Sequence, residues 1–142
     1  MSDRTDRKDY REDLGTALSA ALVGTGKPAT SFYDHLAHEN EFNGQSPVVC
    51  LASSGTAPAN ATLQGKTYTH RLMVLVFVTR EDANADDTLD QCYTVIADYI
   101  EGHRKTTDWA DLDFDGPSQV NEWEWGGGIY WVEAIPITMR GY

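Results

Sequence analysis

The sequence predicts an α/β (α+β) domain in which two helices pack on a mostly antiparallel or mixed sheet. Three observations carry that prediction. The run Thr67 to Arg80 (TYTHRLMVLVFVTR) is rich in β-branched and aromatic residues and is far longer than the usual strand of about five or six residues. In its second half both alternating sets are apolar: Leu72, Val74, Val76 and Val78 on one face, Met73, Leu75 and Phe77 on the other. A strand of that kind needs cover on both sides, which puts it at the centre of a sheet with a helix against at least one face. Two further stretches, one on each side of this run, show apolar residues at helical spacing.

Element by element, residues 1–9 are polar and read as a flexible N-terminus ahead of one domain spanning 10–142. Tyr10 to Val23 reads as a helix, because Leu14, Leu18, Ala21 and Leu22 fall at i, i+4, i+7 and i+8; Gly24, Gly26 and Pro28 end it. Residues 29–46 carry Phe32, Tyr33, Leu36 and Phe42, which cover the core as a short helical turn or as a loop. Pro47 to Ser53 is a short strand, with Pro47 suited to its first position. Residues 54–66 (SGTAPANATLQGK) read as an exposed Gly/Ala/Thr/Pro loop. After the central strand, Asp86, Asp87 or Thr88 caps a helix over Leu89 to Ile100, whose buried stripe is Leu89, Tyr93, Ile96 and Ile100, with Cys92 and Ala97 beside it. Gly102 and the cations His103, Arg104 and Lys105 mark its end. Asp108 to Gly116 is acidic and turn-rich. Gln119 to Trp125 and Ile129 to Met139 alternate and are joined by Gly126, Gly127 and Gly128, the signature of an antiparallel hairpin. Pro136 calls for a position where a missing N–H is tolerated, near an edge or a bulge. The predicted order is α-β-β-α-β-β.

Composition narrows function. A chain of 142 residues with 41% hydrophobic content builds a core without staples. Its formal charge of -11 opposes binding to a phosphate backbone, which requires Lys and Arg. Asp outnumbers Glu and Lys is scarce, a balance shared by proteins of high-salt hosts and by ordinary acidic proteins. Cys50 and Cys92 read as two buried reduced thiols. No apolar stretch reaches the ~18–20 residues of a membrane span, and the charged stretch Met1 to Arg11 lacks the apolar segment of a signal peptide.

Chemistry-bearing patterns are sparse. His35 and His38, within Asp34-His35-Leu-Ala-His38-Glu39, sit at i, i+3 and suit one metal ion on a helix, but zinc takes a third or fourth protein ligand and no partner pair stands out; no metal site is assigned. Glu122 and Glu124 share a strand face beside Trp123 and Trp125, the ingredients of a glycosidase pair, yet also what a half-exposed strand gives by default; no catalytic residue is assigned. Asp111, Asp113 and Asp115 alternate like calcium ligands, but no Glu closes a twelve-residue loop. No glycine-rich phosphate loop follows a strand, so no cofactor is expected. The aromatics Trp123, Trp125 and Tyr130, with Trp131, admit two readings. They are contact residues of an interface carried on a glycine-rich hairpin, or rings that fill the core against the second helix.

The succession of an amphipathic helix, a short strand, a variable loop, the strand RLMVLVFVTR, an acidic turn, the helix DDTLDQCYTVIADYIE and the closing strand YWVEAIPITMRGY resembles the tail terminator (tail-completion, minor tail) proteins of long-tailed viruses of bacteria and archaea. The likeness covers Tyr10 to Tyr142 and is most specific from Arg71 to Glu101. It implies a structural virion protein and not an enzyme. Such a protein self-associates into a ring, commonly a hexamer, on the finished tail tube. The ring ends polymerisation and offers a surface to the head-tail connector protein. It also implies assembly in the host cytoplasm, residence at the head-proximal end of the tail, and an acidic lumen through which DNA passes without sticking. The neighbouring possibilities are another head-tail adaptor or a small metal-dependent enzyme built on the histidines or glutamates above.

Overall fold

The computed structural model describes residues 7–37, 42, 45–62, 65–125 and 127–142. Their order is α1 (Arg7–Leu22), β1 (Ser31–Tyr33), β2 (Val48–Thr62), β3 (Gly65–Thr79), α2 (Ala85–Gly102), β4 (Asp111–Phe114), β5 (Gln119–Trp125) and β6 (Gly128–Arg140). The fold class is the expected α+β with a mixed sheet, enriched by two short strands, β1 and β4. The sheet order is β1-β2-β3-β6-β4, with β5 also paired to β6; only β1 runs parallel to its neighbour.

β3 takes the central place its double apolar pattern demands. Leu72, Val74, Val76 and Val78 are fully buried towards the helices. They meet Tyr10, Leu14, Leu18 and Leu22 of α1, and Leu89, Cys92, Ile96 and Ile100 of α2. Ile135, Ile137 and Met139 of β6 and Val49 and Leu51 of β2 complete this layer. Both helical stripes are therefore those expected from spacing, with Tyr93 only partly buried and its ring stacked on Phe114 at 6.1 Å. α2 starts earlier than expected. Asn84 is its N-cap residue, and Asp86 and Asp87 lie in the first turn, where their charge meets the positive end of the helix. α1 likewise begins at Arg7.

Among the described residues no helix packs on the second face of the sheet. Cys50, Leu75, Phe77, Val132 and Tyr130 form a separate cluster closed by Phe42 and Ala37 from the link between β1 and β2, and by Trp123 and Trp125 from β5. Phe42 is 2% exposed and its ring meets Phe77 at 4.8 Å and Tyr130 at 5.7 Å, both edge-on.

Two expectations need correction. Residues 54–66 are not a loop. β2 continues to Thr62 and β3 begins at Gly65, so this stretch is a long antiparallel ribbon, paired through Thr62↔Gly65. Register shifts between Ser53 and Gly55 and between Pro58 and Asn60 absorb the glycine and the proline that read as loop formers. Pro136 lies on an interior strand, not near an outer edge. β4 and β5 run end to end along one side of β6, β5 reaching Ala134 and β4 starting at Ile137. The Pro136 carbonyl points into the gap between them and accepts from Asp115 N–H at 2.9 Å. A strand residue's N and O face the same side, so the missing N–H also points where no strand needs it.

Val76→Asp is expected to abolish folding, because it sets an unpaired carboxylate in a fully buried layer. Far-UV circular dichroism of the purified variant reads this directly. Phe42→Ala is expected to cost about 3–5 kcal/mol in denaturant unfolding, since it empties the cover of the second face.

Candidate functional site

The hairpin β5–β6 is built as its sequence suggests. Trp125 pairs with Gly128 across a turn in which Gly127 has φ 79°, a conformation glycine adopts without strain. Alternation places Trp123 and Trp125 on the second face of the sheet, away from the helices, while Glu122 and Glu124 point to the other side. The hairpin curls so that Phe77, two strands away, meets the Trp123 ring at 5.6 Å and the Trp125 ring at 6.4 Å. Tyr130, paired with Trp123, is 7% exposed and forms the floor beneath these rings, whereas both tryptophans are half-buried. They thus combine the two readings: inner edges complete the cluster and outer edges face solvent. The core they join is the second-face one, not the layer against α2. The Trp125 indole N–H is buried with no acceptor among the described residues, an arrangement that costs roughly 1–3 kcal/mol. On the opposite face of the hairpin, the one that carries Glu122 and Glu124, Ile129 is 41% and Val120 50% exposed.

The chemistry-bearing candidates are dispersed. Glu122 is exposed and pairs with Arg80 at 3.6 Å; Glu124 is exposed at the hairpin end. Asp113 and Asp115 each have a cation, Arg104 at 3.4 Å and Arg71 at 3.7 Å, and Asp111 and Asp113 belong to strand β4. His35 is half-exposed with Nδ1 3.1 Å from Asp34 Oδ1; His38 and Glu39 lie outside the described residues. Among the described residues no group of three or more His, Cys, Asp or Glu side chains is placed to hold a metal ion. No helix there is long and apolar enough to cross a membrane.

Sequence reading missed two buried polar fixtures. Trp109 is 3% exposed and its indole N–H donates to the His103 carbonyl at 2.8 Å, tying the α2 exit to β4. His70 is 2% exposed, with its ring 5.1 Å from Tyr10 and its Nδ1 3.2 Å from Thr56 Oγ1. Nothing in a lone Trp or His announces burial. The two thiols are both buried and form no disulfide, Cys50 in the second-face cluster and Cys92 in the helical one, so the sheet itself separates them.

No family model and no curated protein matches the chain. Among solved structures, a chain from the virion of a native gene transfer agent particle superposes with a TM-score of 0.51 at 15% identity, over 94% of this chain and 90% of that one. At that identity the likeness is one of fold, and it extends over nearly the whole of both chains.

Burial, and secondarily the Glu133 carboxylate, push the Cys92 thiol from its ordinary 9.0 up to about 11. Protonation is therefore favoured by the fold. Stability is unaffected below the unfolded value and falls as pH climbs from 9.0 towards 11, by about 2–3 kcal/mol in all. Urea titrations at pH 8 and pH 10.5 are expected to show this loss in the native sequence and to show it reduced in Cys92→Ala.

Proposed function

We propose that this chain is a structural virion protein, a tail terminator that assembles as a ring, copies of one domain closing on the end of a tail tube and meeting the head-tail connector on the other side. The observation that carries the reading is the end-to-end fold likeness to a chain of a phage-like virion particle. The resemblance of the sequence from Arg71 to Glu101 to terminators specifies it further. Its function lies in surfaces, without turnover.

The hairpin aromatics suit such a surface. Trp123 and Trp125 present rigid, half-buried rings on the Tyr130 floor. Interface hot spots are enriched in tryptophan and tyrosine seated in this way. The acidic balance of -11 suits a passage for DNA, because like charge keeps the duplex from adhering to the wall.

Light scattering and electron microscopy of the purified protein, alone and with assembled tail tubes, test this reading. A ring, or density capping one tube end, is expected. A protein that ignores tubes but captures the head-side connector protein instead makes it a head-tail adaptor. Trp125→Ala is expected to keep its far-UV spectrum and to weaken tube capping by roughly 30-fold, the effect of losing a hot spot of about 2 kcal/mol.

A further inference from the structure

Every one of the 22 carboxylate side chains lies outside residues 42–80. That interval holds Lys66, Arg71 and Arg80 and no Asp or Glu, in a chain of net charge -11. Much of it is core, where acids are not expected. The β2–β3 ribbon, however, runs past the rest of the sheet. Pairing of β3 with β6 ends at Thr69↔Arg140, and pairing of β1 with β2 ends at Tyr33↔Cys50. The β2–β3 ladder continues past both, to Thr62↔Gly65. At about 3.3 Å per residue, Gly65 to Tyr68 carry it ~13 Å beyond the last β6 pair. α1 braces the root: Arg11 donates to Ser53 Oγ at 2.8 Å and Arg7 to Thr56 Oγ1 at 3.2 Å. Beyond these contacts, neither outer backbone edge of the ribbon has a strand partner among the described residues.

A two-stranded ribbon by itself is marginal in water, and its free edges are templates for another chain. Resting on the ring reading above, we infer that the ribbon is the arm through which one copy of this protein seats on the next. The argument is electrostatic. Two bodies of charge -11 repel, and like charges brought together in an interface cost several kcal/mol. Carboxylates are exposed on α2 (Asp86, Asp87, Asp90, Asp98) and on β5 (Glu122, Glu124). The carboxylate-free ribbon approaches such a body without that penalty. A nucleic-acid partner is disfavoured, because a phosphate backbone calls for several cations. The ribbon and the acidic body are different surfaces, so the contact is heterologous and closes into a ring when its rotation allows.

The test compares Asn60→Asp/Ala61→Asp with Asn60→Lys/Ala61→Lys in the full chain, by mass photometry with and without tail tubes. Both variants are expected to keep the native far-UV spectrum and melting temperature. The Asp pair is expected to raise the concentration needed for self-association at least tenfold, and the Lys pair to leave it equal or lower. Self-association that both pairs leave unchanged, or that both weaken equally, overturns the inference. So does a native protein that stays monomeric with and without tubes. Intact self-association with capping lost only in the Asp pair assigns the ribbon to the tube, overturning the inference while the terminator reading stands. Charge-dependent self-association without any capping supports the inference and removes the terminator reading.

Discussion

The structure depends on one constraint, a strand that is apolar on both faces. From Leu72 to Val78 every side chain of β3 is buried or partly buried, so each face has to be closed by something. The helices close one face with leucines and isoleucines at regular spacing. The other is closed, among the described residues, without a helix, by Phe42 reaching in from a connection and by the β5–β6 hairpin curling until Trp123 and Trp125 meet Phe77. The two closures are not equivalent. Helix packing buries the leucines and isoleucines of its stripes, whereas the aromatic cover leaves the two tryptophans half open. The same requirement that fixes the fold therefore leaves an aromatic surface at one end of it.

That asymmetry explains how much the sequence could reveal. Periodicity is a property of elements that meet one partner along their length, and it identified α2, β3 and both strands of the terminal hairpin to within a few residues. It could not identify β1, three residues held by parallel pairing to Val48–Cys50, because its position is set by its neighbour and not by its own pattern. The ribbon was misread for a related reason. Ser54 to Lys66 is made of small, turn-favouring residues, and only the register with β3, with irregularities at Gly55 and Pro58, makes it a strand. Alternation correctly separated Trp123 and Trp125 from Glu122 and Glu124. It could not say which face would carry a helix, so the choice between core and contact surface was not readable, and the rings turn out to serve the core with one edge only.

The acids have little to do with holding the fold. Arg80 with Glu122, Arg71 with Asp115, and Arg104 with Glu101 and Asp113 are exposed pairs at 3.4–3.7 Å, each worth about 0–1 kcal/mol. Glu133, at 8% exposure, is the buried carboxylate of the sheet, and it accepts from Ser118 Oγ at 2.7 Å beside the β4–β5 junction. Apart from Asp13, whose Oδ2 is buried, the other acids among the described residues are exposed or half-exposed.

A charge that contributes so little to folding acts chiefly on encounters. An acidic surface of this size keeps copies apart at low salt and lets them approach as screening increases, because the Debye length shrinks from ~30 Å at 0.01 M to ~3 Å at 1 M. Hydrophobic contacts, by contrast, persist as salt rises. On the proposed reading, assembly of this chain is gated by ionic strength and its specificity is set where carboxylates are absent. The tryptophan face and the carboxylate-free β2–β3 ribbon lie at separate positions on the sheet. On that reading one of them meets the next copy and the other a different structure, without a second module.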